Sequence, residues 1–177
     1  SSDVCSSDLS KMDDFQSKIN SSLGKTVDIA FFKFCYVDIT YETDVDKLFT
    51  SYKQTMRRLE NDFPNIAFVY STIPLKSANT SWKTFIKKLI GKDYIWEYAA
   101  NIKRNAFNEM IRQEYRDSGK LFDIAQAESI RLNGSRETFE MKGEQYEALV
   151  PGFTDDGGHL NQVGRKVVAA HLLKTLV

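Results

Sequence analysis

The chain is poor in the residues that cross-link or nucleate small folds. Its 177 residues include two cysteines, two histidines, three prolines and nine glycines. With so few cysteines and histidines, no zinc site of the usual Cys/His kind is expected. Charge of one sign is also lacking. Lysine plus arginine equals aspartate plus glutamate at 24 each, so there is no electrostatic reason to expect nucleic acid or an anionic membrane as partner. No apolar run approaches the roughly 20 residues that a membrane helix needs. The longest, 29-IAFFKFCYV-37, is interrupted by Lys33 and is rich in strand formers. What is present is ordinary for a globular protein: 42% hydrophobic and 27% charged residues, enough chain for one domain with a substantial core.

The first nine residues, SSDVCSSDL, have neither the apolar middle nor the cleavage site of a signal peptide. VCSSDL reads as the translation of a common sequencing-adapter end. Residues 1–9 are therefore expected to be a non-native leader, with the natural N-terminus missing; a disordered polar tail is the alternative. Cys5 falls in this leader. Cys35 falls in the apolar run and reads most simply as a buried thiol, a Cys5–Cys35 disulfide being the minor alternative.

From Ser10 the pattern is regular. Met12, Phe15, Ile19 and Leu23 recur on one helical face, with Gly24 as the stop. The nearly continuous apolar run 27–34 predicts a strand buried on both sides. A helix over 43–63 follows, with Thr43 and Asp46 near its start and Val45, Leu48, Phe49, Tyr52, Met56 and Leu59 as its apolar stripe. Pro64 ends it, and 66–72 is a second buried strand. Residues 81–91 form a short amphipathic piece carrying Trp82 and Phe85. A long helix over 95–117 includes Ala106, Met110 and Ile111 among its inward residues, and Gly119 closes it. A third strand is expected at 121–125, an irregular section with an Asn133-Gly134 turn at 126–158, and a last helix over 160–176. Val163, Val167, Ala170 and Leu173 or Leu176 are expected to face inward there. Helices alternating with strands imply α/β with a parallel sheet and helices on both faces.

Just before the last helix stands 154-TDDGGHLNQVG-164. Asp156-Gly157-Gly158-His159, followed by Leu160-Asn161 and Gly164, resembles the Asp-x-x-His block of the SGNH, or GDSL-type, hydrolase superfamily. A weaker match lies after the first apolar run, where Cys35-Tyr36-Val37-Asp38 stands at the place of the family's Gly-x-Asn-Asp block. Its aspartate matches; its glycine is Cys35 and its asparagine is Val37. By element order the resemblance extends over residues 10–177. It implies a single domain with a flavodoxin-like, three-layer α/β/α fold whose first strand or strands are missing. It also implies ester hydrolysis through a serine acyl-enzyme, without metal or cofactor, on a small-molecule ester or acylated sugar. Many family members are secreted, so a secreted or periplasmic site is the corresponding expectation. No Gly-Asp-Ser block follows any strand of the chain, so the parent enzyme's nucleophile is expected upstream and this fragment is expected to be inactive. Strand 27–34 is expected to have an unpaired edge where the missing first strand belongs.

The chemistry behind the match is general. A serine hydroxyl needs a base within hydrogen-bond reach, and the base needs a carboxylate that holds its tautomer and stabilises the imidazolium. His159 is the candidate base and Asp156 its candidate orienter, with Asp155 as competitor. The competing reading makes the aspartates turn caps and His159 a residue that merely starts a helix. In the resembling family the asparagine of the other block donates to the oxyanion, which valine cannot do. Cys35, Tyr36, Val37 and Asp38 are therefore the candidate oxyanion region. Tyr36 either lines the site or is a packed aromatic, and Asp38 caps or braces the loop. Trp82, Phe85 and Trp96 form either a lid or pocket wall or the buried face of a surface helix; His171, in mid-helix, reads as structural or exposed. A second reading is a non-catalytic module of the same fold that binds a ligand such as carbohydrate; a receiver- or flavodoxin-like domain is a third.

Overall fold

The computed structural model describes residues 6–78 and 93–176. The helices are α1 (Ser6–Asn20), α2 (Val45–Asp62), α3 (Asp93–Tyr115), α4 (Ile124–Ser129) and α5 (Gln162–Thr175). The strands are β1 (Ile29–Phe31), β2 (Ala67–Ser71), β3 (Leu121–Phe122), β4 (Thr138–Met141) and β5 (Glu144–Glu147). The amphipathic piece at 81–91, with Trp82 and Phe85, lies outside the described residues, as do the side chain of Trp96 and residues 1–5.

β1, β2 and β3 form a parallel sheet in that order, with Ile29 opposite Ala67 and Tyr70 opposite Leu121. The fold is α/β, with helices on both faces. Alternation along β2 divides the core. Phe68 and Tyr70 join Met12 and Ile19 of α1, the α2 stripe, and Phe107, Ile111 and Tyr115 of α3. Val69 points the other way, to Phe122, Ile124, Ala127 and Val168 of α5. The aspartate before α2 sets its start: Asp44, rather than Thr43 or Asp46, accepts the Lys47 N–H at 3.1 Å. Val45, Leu48, Tyr52, Met56 and Leu59 are buried as the periodicity predicts, and Phe49 is half-buried.

Several expectations change. α1 begins at Ser6, inside the stretch set aside as leader, and stops at Asn20; the chain then tightens into a 3-10 turn at Ser22–Lys25, which leaves Leu23 exposed. The run 27–34 pairs only at Ile29–Phe31 and is buried on one face. Ala30, Phe32 and Phe34 enter the core, whereas Ile29 and Phe31 remain 50% and 38% exposed. Among the described residues β1 is one edge of the sheet and β3 the other, and on the second face α5 packs over β2 and β3. The third strand is two residues long, because Asp123 accepts the Gln126 N–H and starts α4. Within 126–158, β4 and β5 form an antiparallel hairpin. Lys142 and Gly143 turn it with φ of 54° and 85°, the left-handed pair that matches hairpin twist.

α5 is rotated from its expected face. Gly164 and Val168 are buried and Val167 and Leu172 half-buried; Val163, Ala170, Leu173 and Leu176 are exposed. Apolar residues stand on nearly every side of this helix, so periodicity does not select one. The choice falls to Gly164, where a Cβ would lie 2.5 Å from the Phe153 carbonyl oxygen. Only glycine lets the helix approach that closely. Among the described residues, no helix is long and apolar enough to cross a membrane.

Candidate active site

The turn that leads into α5 is organised by one carboxylate. Asp156 Oδ1 accepts the backbone N–H groups of Gly158 at 2.9 Å and His159 at 2.8 Å. Thr154 Oγ1 donates to the same oxygen and itself accepts the Gly157 N–H. Gly157 has φ +86°, a left-handed conformation that tightens the turn at little cost only in glycine. The second oxygen, Oδ2, lies 2.6 Å from Nδ1 of His159. The carboxylate thus holds backbone and ring together. The His159 ring, and then the N–H groups of His159 and Gly158, keep its pKa well below the usual carboxylate range. With Nδ1–H donating to Asp156, Nε2 is left as the basic nitrogen. Asp155 is turned away: its Oδ1 accepts from Asn161, whose own carbonyl caps α5 by accepting the Val163 and Gly164 N–H groups. Asp156, not Asp155, is therefore the ring's carboxylate partner.

The residue that meets the ring comes from the other end of the chain. The Tyr36 hydroxyl lies over the imidazole, 3.2 Å from Nε2 and 3.4 Å from Nδ1, and the two rings meet edge to face with centroids 5.5 Å apart. The fit is close: a Cβ on Gly158 would lie 2.8 Å from Tyr36 Cζ. Burial, and then the nearby Cys35 and Asp156, raise the Tyr36 pKa, so its hydroxyl remains a protonated donor at neutral pH. Around it, Asp38 closes the 3-10 turn by accepting the Cys35 N–H at 2.7 Å, and it pairs with Lys11. The Cys35 thiol is free and half-buried. Val37 is 60% exposed, with no polar atom in its side chain to offer a substrate.

Behind the two blocks runs a polar stripe of α3 that the sequence reading missed. Arg104 is 3% exposed. It donates to the carbonyl oxygens of Tyr36 (2.9 Å) and Ile39 (3.1 Å) and to Asn101 Oδ1 (3.0 Å). Burial lowers its pKa to about 10, which leaves it a cation. Asn101 holds the backbone of Lys76 by both its N–H and its C=O, and Asn108 holds Ile73 in the same two-way fashion. Glu128 of α4 accepts the Leu75 N–H at 2.8 Å from a buried carboxyl whose pKa burial pushes up to about 8. The segment that follows β2 is buried yet irregular, so side chains must supply the backbone partners that a ladder would have given. Positions 101, 104, 108 and 112 recur at helical spacing; that periodicity was a usable signal, read past because these residues are polar.

Two adjoining cavities open beside the dyad. One, of 200 Å³, is lined by Asp156, Gly157, Ser77 and Tyr98. The other, of 380 Å³, lies between Tyr36 and α3. Lys76 and Glu97, paired at 2.9 Å, belong to the walls of both.

No protein-family model matches this chain, and no curated protein matches it. A solved structure from Streptococcus pneumonia, described as a platelet activating factor, does match. The TM-score is 0.60 over 94% of this chain and 68% of that one, at 15% sequence identity. The two chains share a fold. At that identity the likeness extends to architecture and carries no residue role. Within the described residues, no group of three or more His, Cys, Asp or Glu side chains is placed to hold a metal ion.

Proposed function

We propose that this chain is the C-terminal part of a serine ester hydrolase of the SGNH, or GDSL, type, acting on a small ester or an acylated sugar. The observation that carries the reading is the Asp156–His159 pair, in which a carboxylate fixes Nδ1 and leaves Nε2 as the basic nitrogen, with the Tyr36 hydroxyl against the same ring. In the proposed reaction a serine hydroxyl attacks the ester carbonyl while Nε2 takes its proton. Asp156 stabilises the imidazolium, which then protonates the leaving alcohol; water repeats the cycle on the acyl-enzyme. Tyr36 supplies a donor that Val37 lacks. Its hydroxyl, beside the ring that holds the base, is placed to donate to the tetrahedral oxyanion. The chain has no Gly-Asp-Ser block, so the reading draws its nucleophile from outside these 177 residues, which alone are inactive.

The test uses protein expressed from the complete reading frame, with 4-nitrophenyl acetate as substrate and a fluorophosphonate as serine label. His159→Ala is expected to lower kcat by about 10²–10⁴, and Asp156→Ala by somewhat less. Near-normal turnover in His159→Ala rejects the base assignment. Val37 favours one second reading, a ligand-binding module without catalysis. Absence of both turnover and fluorophosphonate labelling in the complete protein selects that reading.

A further inference from the structure

We propose that the 380 Å³ cleft between Tyr36 and α3 is a subsite for a carboxylate carried by the substrate, with Arg104 and Lys76 as its counter-charges. The proposal deepens the ester-hydrolase reading and takes from it only the position of the ester at His159.

The argument begins with an imbalance of charge. Arg104 is a buried cation, and the three oxygens it binds are all amide oxygens, from Tyr36, Ile39 and Asn101. Those bonds use three of its five N–H groups and solvate the charge; Glu97, without a hydrogen bond to it, offsets part of that charge. A buried cation of this kind is costly unless an anion reaches it. Lys76 is the second cation of the cleft, and its one carboxylate partner there is Glu97, itself more than half exposed. Among the described residues, Lys76 and Arg104 against Glu97 leave the lining with a net charge of +1, since Tyr36, Val37, Ile39, Thr40, Tyr41 and Ala100 are neutral.

The two residues are tied to one side chain. Asn101 Oδ1 accepts both the Arg104 guanidinium and the backbone N–H of Lys76. Both charges flank one ring, with Lys76 Nζ at 5.7 Å and Arg104 Cζ at 5.9 Å from the Tyr36 centroid. The hydroxyl of that same tyrosine meets His159. An ester held at the dyad therefore extends past Tyr36 into a partly apolar cleft with a positive wall, where low dielectric strengthens an ion pair. A carboxylate fits this wall by accepting from the fixed guanidinium fork and the mobile ammonium together.

The experiment compares two charged aryl esters with their uncharged counterparts on the complete protein. 4-Nitrophenyl acetate carries no charge, mono-4-nitrophenyl succinate carries the carboxylate on the acyl side, and 4-acetoxybenzoate carries it on the alcohol side. One charged ester is expected to exceed its uncharged counterpart (4-nitrophenyl acetate or phenyl acetate) at least about tenfold in kcat/KM, mainly through KM. Lys76→Met should remove that preference and Lys76→Arg should keep it. Titration calorimetry with sodium succinate reads the cleft without turnover: binding should weaken about tenfold or more in Lys76→Met and be unchanged in Lys166→Met, on the exposed side of α5. Equal kcat/KM for charged and uncharged esters, or a preference that survives Lys76→Met, overturns the proposal. So does Lys76-dependent binding of inorganic phosphate as tight as that of succinate, which makes the cleft a general anion site. Succinate binding without hydrolysis of any ester rejects the esterase reading and keeps the carboxylate site.

Discussion

α2 and α3 lie against each other on one face of the sheet and contribute to the same core, but what they bury differs. α2 buries Val45, Leu48, Tyr52, Met56 and Leu59, all of them apolar or aromatic. α3 buries Phe107 and Ile111 toward the core, and on its site side Asn101, Arg104 and Asn108. The first helix holds the sheet by excluding water. The second holds loops by supplying hydrogen bonds, since the segment after β2 and the turn at Tyr36 have no ladder of their own. Non-directional burial suffices to hold a sheet in place, whereas a loop that must present Tyr36 and Lys76 at set positions needs directional bonds.

Substitutions on each side sharpen that contrast. Leu59→Ala on α2 empties a fully buried site and should cost about 2–5 kcal/mol in denaturant unfolding. On the proposed reading, the same substitution in the complete protein should leave kcat for 4-nitrophenyl acetate per folded molecule unaltered; a matching loss of kcat would break the division of labour. Glu128, which supports the same loop as α3, should reveal itself through pH. Its carboxyl titrates at about 8 when folded, well above the ordinary value for glutamate. The folded state therefore keeps a proton that the unfolded chain releases. Stability is greatest below the unfolded pKa and falls as pH rises toward 8, at up to about 1.4 kcal/mol per pH unit. Glu128→Gln keeps an acceptor for the Leu75 N–H and should flatten that slope in urea titrations from pH 5 to 8; an unchanged slope assigns the effect elsewhere. Asn108→Ala leaves the Ile73 N–H and C=O unpaired and should cost about 2 kcal/mol. Amide exchange should quicken at residues 72–78 rather than in α2. The smallest effect belongs to Asp44→Ala, which removes the cap of α2 for about 1 kcal/mol and should be visible as a small fall in Tm with no change at the loops.

Much of this contrast was legible in one half and illegible in the other. The α2 stripe follows from the sequence because its apolar and polar positions separate cleanly at helical spacing. α5 does not separate that way: Val163, Ala170 and Leu173 are as apolar as Val168, and the close approach of Gly164 to Phe153 decides which of them is buried. In α3 the inward side was sought among Ala106, Met110 and Ile111. Ile111 is buried and the other two only half-buried, while Arg104, Asn101 and Asn108 turn inward because buried loop carbonyls and amides lie opposite them. The β4–β5 hairpin has its signal in Lys142-Gly143, two residues between segments of alternating character, but each strand is only four residues long, too short for alternation to stand out from irregular chain.

The sequence by itself determined the order of the three parallel strands and of α1, α2, α3 and α5, the stripe of α2 and the local Asp-x-x-His turn, because periodicity and i to i+3 contacts are properties of neighbouring residues. Only the tertiary structure decided that Tyr36 meets His159 across 123 positions of chain, that Asp155 serves Asn161 while Asp156 serves the ring, and that a buried arginine stands behind both. Those pairings depend on which polar groups are left without partners once the sheet and its helices have packed, and that remainder is a property of the assembled fold.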